Sequence, residues 1–484
     1  MHYGTDLRIR SNTPSCTDWA CFGVGRIAVS PGDIFEIRAC AKVRFDSAAG
    51  NNAQSCATLY DTQGKALSWS WAWLALKSDD AWQSVTNRFM IPLGAVTLEP
   101  RIIGNGNAEL ELRSFELLRT GRIESMSAEP VVLWSETLEV AVNPAENSLT
   151  VTDLRSGQHW RQGGALSGMF TRSVECAADK RSAAIRFVRA ESMAELEAVL
   201  TLDERAPELS VALKAQGKIT RAVEYPAAFI TAPGERLIVP MNEGMSYPVD
   251  EEHQGLGRMI AYGGHGICMS FFGCMKDRDG SGWMCILESA DDACMNAFKG
   301  ADNLWRAAPL WELCRGEFGY ERHARYVFFQ QGGYVAMCKR YRQHAQQRGL
   351  LKTFNEKVKE RPTIDLLIGA ANIWNWDAGA QKVALVQELQ SAGMNRIIWS
   401  GSGTGSEIAA LNALPGVLTG RYDIYQDIMD PARYSEVAWA HGDWVPENYI
   451  TVYRNLTHIW FCFYVIIVCL TMISKGGKFI ITKE

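Results

Sequence analysis

The stretch PTIDLLIGAANIWNWDAGAQKVALVQELQSAGMNRIIWSG, residues 362–401, decides how the chain is read. IDLLIGAAN is a continuous apolar run, the pattern of a strand buried on both faces of a parallel sheet. AQKVALVQELQSAG has helical spacing and stops at Gly393, and MNRIIWSG is a second strand. Downstream, EIAALNALPG reads as a shorter helix, GVLTGRYDIYQDI as a third strand and PARYSEVAWAHG as the next helix. Alternating strands and helices predict a βα series around a parallel sheet. GSGTGS, residues 401–406, invites a dinucleotide-loop reading, but its sixth position is Ser406 and no acidic partner is evident. A plain βα loop is the better account.

Everything before this stretch has a different grammar. Residues 1–122 hold IAVSPGDIFEIRACAKVRF, SWSWAWL, RFMIPLG and AELELRSFELL, short alternating runs with turns such as Pro31-Gly32-Asp33. They predict an antiparallel β-sandwich resembling a carbohydrate-binding module in the shape of its sequence. Strand alternation would place Trp69, Trp71 and Trp73 on one face, either as a sugar-stacking platform or as core filling. Residues 125–331 are again strand-rich, with turns at NPAENS, APGER and KDRDGSG, and predict a second, larger sandwich. Residues 332–360, including GGYVAMCKRYRQHAQQRGLL, have helical spacing and read as a linker to residues 361–449.

The KDRDGSGWMCILE segment spaces Asp277, Asp279, Ser281, Gly282 and Glu288 as a calcium loop would. Strand-like sequence on both sides argues for a hairpin turn instead, so no cofactor is expected and calcium is the alternative. The 484 residues carry a net charge of −5 and no long Lys or Arg run, which disfavours a nucleic-acid partner. Sixteen tryptophans lean toward carbohydrate as the partner, because pyranose faces stack on indole. Thirteen cysteines without a CxxC pair or zinc spacing suit buried free thiols and no metal. The start, MHYGTDLRIRSN, has no apolar signal core, so a cytoplasmic location is expected; an upstream segment would reopen an extracellular one.

MNEGMSYPVD at 241–250, GHGICMSFFG at 264–273, IGAANIWNWD at 368–377 and TGRYDIYQDIMDP at 419–431 resemble a family of bacterial glycosidase-like proteins similar to the endo-α-N-acetylgalactosaminidases. That resemblance implies two β-sandwiches, the second (125–331) a mutarotase-like supporting domain, followed by a (β/α)₈ barrel, with a glycan site at the C-terminal strand ends. It implies substrate-binding roles for Trp374, Trp376, Asp377, Asp423, Tyr425 and Asp427, with His441 a further candidate. The tryptophans would wall the sugar ring, and the carboxylates would hydrogen-bond its hydroxyls. The alternatives are barrel packing for the tryptophans and helix capping for Asp427.

A complete barrel takes about 250 residues, and residues 361–449 supply three βα units. The acid and nucleophile of a glycosidase would come from later strands in the family resembled, and no residue here matches them. In their place, 451–484 contains no Ala, Pro or Asp, whereas 371–440 contains 11 Ala. Two expectations follow. Either the reading frame is interrupted, and the chain is a glycoside hydrolase fragment lacking its catalytic pair, or Ile459–Ile473 forms a membrane anchor of a non-catalytic sugar-binding protein. Fifteen residues is short against the roughly 20 that a helix needs to span a bilayer.

Overall fold

The computed structural model describes residues 2–420, apart from 13–17, 24, 48–49, 125–128, 164–167, 217–218, 220, 242–243, 262–265, 314–317, 378 and 402. The chain is multidomain and β-rich, with most strands in antiparallel sheets and few helices. It divides into two compact units, one of Met1–Ile260 with Ser270–Tyr334, the other of Ala261–Met269 with Val335–Glu484.

The first unit begins with a sandwich. One sheet runs His2–Asn12, Asn107–Arg122, Asp33–Phe45, Asp79–Met90 in spatial order; the other runs Asp18–Gly23, Thr97–Asn105, Asn52–Tyr60, Ala66–Leu76. Alternation sorts the side chains. In Asp33–Phe45, Phe35, Ile37, Ala39, Ala41 and Val43 point into one core with Phe89, Leu98, Ile102, Phe115 and Leu117. The Pro31-Gly32-Asp33 turn needs its glycine. Gly32 has φ +88°, and a Cβ there would lie 2.0 Å from the carbonyl oxygen of Ile123.

The larger strand set follows. Nine antiparallel strands form one sheet, from Met169–Cys176 at one edge to Met245–Pro248 at the other, with Glu208–Gln216, Arg322–Phe329 and Gly282–Leu287 at its centre. A meander of four strands, Val131–Trp134 through Gln158–Arg161, packs on it through Trp160 and Phe328, whose rings lie 5.0 Å apart. KDRDGSG joins Phe271–Lys276 to Gly282–Leu287 as a hairpin, with Met275 opposite Gly282. Its aspartates serve the turn and its neighbour. Asp279 accepts from the Ser281 amide at 2.9 Å, and Asp277 pairs with Arg236 at 2.6 Å. Among the described residues no group of three or more His, Cys, Asp or Glu is arranged to hold a metal.

Of the described cysteines, all free, Cys56, Cys274, Cys285 and Cys294 are buried as expected, whereas Cys176 and Cys338 are exposed.

The second unit contains the βα series. After the helices Gly333–Gln347 and Phe354–Glu360, the strands Ala371–Ile373, Ile397–Trp399 and Val417–Thr419 pair in parallel, in that order. Helices Lys382–Ser391 and Gly405–Ala413 connect them. Val386, Ile397, Trp399, Leu411 and Val417 form the core between the sheet and these helices.

One expectation fails here. IDLLIGAAN is not a long buried strand: Pro362–Leu367 is a 3₁₀ turn, and only Ala371–Ile373 is extended. Proline starts the turn, Gly369 at φ +71° leaves the extended region, and Arg396 donates to the carbonyls of Asp365 at 2.7 Å and Ile368 at 3.1 Å. The described part of the third strand ends at Thr419, and the tail from 421 lies outside the described residues. Three parallel strands are present there; a closed barrel is not seen among the described residues. No described helix is long and apolar enough to cross a membrane.

Candidate functional site

The C-terminal ends of the parallel strands form the candidate site. Chain direction puts the loop after Ile373, the loop after Trp399 and Gly420 at the same sheet edge. Backbone hydrogen bonds hold them in step: the Ser400 amide donates to the Ile373 carbonyl at 2.9 Å, and the Gly420 amide to that of Trp399 at 2.8 Å. Ser400, itself buried, links the first two strands by donating its hydroxyl to Asn372 Oδ1 at 2.8 Å.

The first loop carries two exposed tryptophans and a carboxylate. Trp374 and Trp376 are 51% and 55% exposed, with ring centroids 6.3 Å apart and planes at 54°. They form an open V of indole in the loop that follows the strand Ala371–Ile373. Asp377 is exposed beside them. Its Oδ1 accepts from the Gly379 amide at 2.8 Å, while its own amide donates to Asn375 Oδ1 at 2.8 Å. These two local turns hold the carboxylate through Oδ1. Trp399, by contrast, is fully buried in the core.

Glycine in the second loop has a steric purpose. A Cβ on Gly401 would lie 1.9 Å from the carbonyl oxygen of Asn375, so the two loops touch backbone to backbone only because residue 401 has no side chain. Thr404 then caps helix Gly405–Ala413 with Glu407 in a capping box. The glycine-rich segment is therefore a loop support and helix start, in keeping with the plain βα reading.

One pair escaped the sequence reading. Lys382, only 3% exposed, places Nζ 3.1 Å from Glu407 Oε1. Each residue sits in the first turn of its helix, on the strand-end side of the sheet. The Thr404 amide, Lys382 and the Thr404 hydroxyl hold the Glu407 carboxyl down at about 2. No residue-type motif announces such a pair; its signal would have been a lysine at the uncapped start of one helix and the capping-box glutamate of the next.

Asp423, Tyr425, Asp427 and His441 lie outside the described residues. The three tryptophans of SWSWAWL do not share one face as alternation implies. Leu59 pairs with Ser68, Ala57 with Trp71 and Ser55 with Leu74, so each two-residue step on one strand takes three on the other. Each of these two steps inserts an extra residue, the second with Ala72 at φ +51°, and each insertion reverses the alternation; the step from Tyr60–Ala66 to Leu59–Ser68 inserts another. Trp69 is 65% exposed and Trp73 44%, whereas Trp71 packs into the core and donates Nε1 to the Met90 carbonyl at 3.2 Å. Trp73 instead receives the Arg221 guanidinium over its ring at 4.6 Å.

No family model matches the sequence, and no curated protein matches it either. Among solved structures, the chain is similar to the ligand-free α-N-acetylgalactosaminidase NagBb from Bifidobacterium bifidum, at 16% identity and a TM-score of 0.53 over 66% of this chain and 61% of that one. Its N-acetylgalactosamine complex gives 15% identity and a TM-score of 0.52, over 62% and 61%. The chain thus spans about three-fifths of the length of these relatives. At this identity the likeness establishes a glycosidase-like fold.

Proposed function

We propose that this chain belongs to a carbohydrate-acting protein of glycoside hydrolase type, in which the strand-end loops of the parallel sheet bind the sugar. The observation that carries the reading is the exposed Trp374–Trp376 pair beside the Asp377 carboxylate at a C-terminal strand end. Large indole surfaces are costly to leave in water, and strand ends are where α/β sheets of this kind bind ligands. In this proposal the indoles pack on the faces of a pyranose, Asp377 Oδ2 accepts from a ring hydroxyl, and the sheet is the first part of a (β/α)₈ barrel. Asp423, Tyr425, Asp427 and His441 are assigned further sugar-binding roles in this proposal. No nucleophile or general acid is assigned to residues of this chain.

The relatives of similar fold are α-N-acetylgalactosaminidases, so N-acetylgalactosamine is the first ligand to try. Titration calorimetry on the full chain should show binding that falls about tenfold in Trp374→Ala and in Asp377→Asn, the loss of one stacking face or one charge-assisted hydrogen bond. Unchanged affinity in both variants, or no binding of this or other hexosamines and hexoses by the wild-type chain, would overturn the proposal.

A further inference from the structure

The outward face of the sheet Asp18–Gly23, Thr97–Asn105, Asn52–Tyr60, Ala66–Leu76 carries a second cluster, remote in sequence from the strand-end loops. Its inner face is apolar: Ala57, Leu59, Leu98 and Ile102 lie in the sandwich core. The register sets Cys56 opposite Arg101, Thr58 opposite Glu99 and Tyr60 opposite Thr97, so these residues share the outer face. Trp69 joins them because Ser68 lies opposite the inward-facing Leu59, so the next residue along faces outward.

The contacts are continuous. Trp69 meets Tyr60 edge to face, centroids 6.4 Å apart, and Tyr60 donates its hydroxyl to Glu99 at 2.9 Å. The Arg26 guanidinium lies 3.5 Å from the centre of the Tyr60 ring. Thr58 Oγ1 donates to the Trp69 carbonyl at 2.9 Å and accepts from Arg101 Nη1 at 3.2 Å. Trp69 is thereby held, not merely exposed: its neighbours fix the strand beneath it while 65% of its surface stays open.

Charge separates this cluster from the rest of the unit. The partly buried arginines elsewhere have carboxylates: Arg155 with Asp153, Arg221 and Arg189 with Glu191, Arg325 with Glu208 and Glu288, Arg322 with Asp292, Arg306 with Asp302. Arg101 has a neutral threonine hydroxyl and no carboxylate within ion-pair distance among the described residues. Arg26 has an aromatic face. With Glu99 the local balance is one positive charge, and an arginine fork without a counter-charge is matched to a carboxylate.

We infer that this outer face is a second glycan subsite, selective for a pyranose that carries a carboxylate, with Trp69 stacking on the ring and Arg101 taking the acid group. Neutral sugars would use Trp69 alone. Sugar-face stacking and a charge-assisted pair are both needed for the selectivity.

The full chain is immobilised and titrated with three trisaccharides that differ only in the terminal residue: glucuronic acid, N-acetylneuraminic acid or glucose. At least one acidic probe should bind roughly tenfold more tightly than the glucose one, as expected for one charge-assisted hydrogen-bonded pair. Arg101→Gln should reduce that probe to the level of the neutral one, and Trp69→Ala should weaken all three. All titrations are made in the Trp374→Ala background, which lowers binding at the strand-end loops and so keeps this test separate from theirs. Equal binding of acidic and neutral probes, or a preference that survives Arg101→Gln in a variant of wild-type melting temperature, overturns the inference.

Discussion

Replacing Trp69, Trp71 and Trp73 singly by alanine tests the bulged strand directly, because regular alternation and the observed register predict different orders of damage. With alternation, all three would behave alike. In the structure Trp71 touches two cores, the sandwich core and the cluster of Ile34, Met90, Phe170, Val188 and Ala190 that joins the two strand sets. Full burial of an aromatic side chain is worth about 3–5 kcal/mol on truncation to alanine. Trp71 is only partly buried, which lowers that figure, and it also loses a hydrogen bond to the Met90 carbonyl, about 1 kcal/mol. Trp71→Ala should therefore cost about 3 kcal/mol. Trp73→Ala removes an exposed cation–π contact with Arg221, about 0.5–1 kcal/mol. Trp69→Ala changes an exposed position and should stay within about 0.5 kcal/mol. A whole-chain melting curve would mix two compact units. The suitable assay is hydrogen exchange read by mass spectrometry on peptides covering 33–45 and 97–105, whose opening free energy reports this sandwich. If Trp69→Ala reduces protection as much as Trp71→Ala, the assigned register is wrong, and the outer-face cluster is wrong with it.

Two further outcomes concern the strand-end loops. Gly401→Ala forces a methyl against the Asn375 carbonyl and should destabilise by about 1–3 kcal/mol, raising exchange in the 374–379 loop, whereas Gly403→Ala meets side-chain carbons of Ile408 and Lys382 rather than backbone and should be milder; equal effects would refute the backbone contact. The Glu407 carboxyl, held at about 2 and so below its ordinary value of 4.5, contributes stability that is full above pH 4.5 and lost as the pH falls toward 2. Exchange protection of helix Gly405–Ala413 should fall over that window in the wild type and less so in Glu407→Gln; identical profiles would exclude Glu407 as the acid-sensitive group.

Much of the fold was legible because burial follows period. Asp33–Phe45 alternates as written, and Lys382–Ser391 stops beside Gly393, whose φ is +99°. What resisted reading was decided by single residues acting at a distance. IDLLIGAAN has the composition of a buried strand, yet Arg396, 31 residues from Asp365, donates to the backbone that a strand would have paired. The extra residues around Ala72 leave no mark in SWSWAWL, since any L-residue forced to positive φ looks ordinary in sequence. At the candidate site, the exposed indoles and Asp377 were readable as residue types at a strand end, but their support was not. Gly401 looks like any loop glycine until the Asn375 carbonyl is seen against it.

That support explains how a short loop can present two tryptophans to solvent in a fixed arrangement. Side-chain order at Trp374 and Trp376 depends on the backbone beneath them, which is held on three sides. Asn375 and Asp377 close their own turns, Gly401 presses from the neighbouring loop, and Ser400 bonds back to Asn372 and Ile373. Lys382 sits where the helix dipole disfavours a cation, and Glu407 sits where its own helix favours an anion. Their contact offsets the first effect with the second and ties the starts of two successive helices together. A site built this way is preorganised in its apolar wall before any ligand arrives, so binding should draw little on loop ordering. If the proposed sugar site is right, loosening either tie, Gly401 or Glu407, should weaken binding measured by calorimetry without removing a group proposed to touch the ligand.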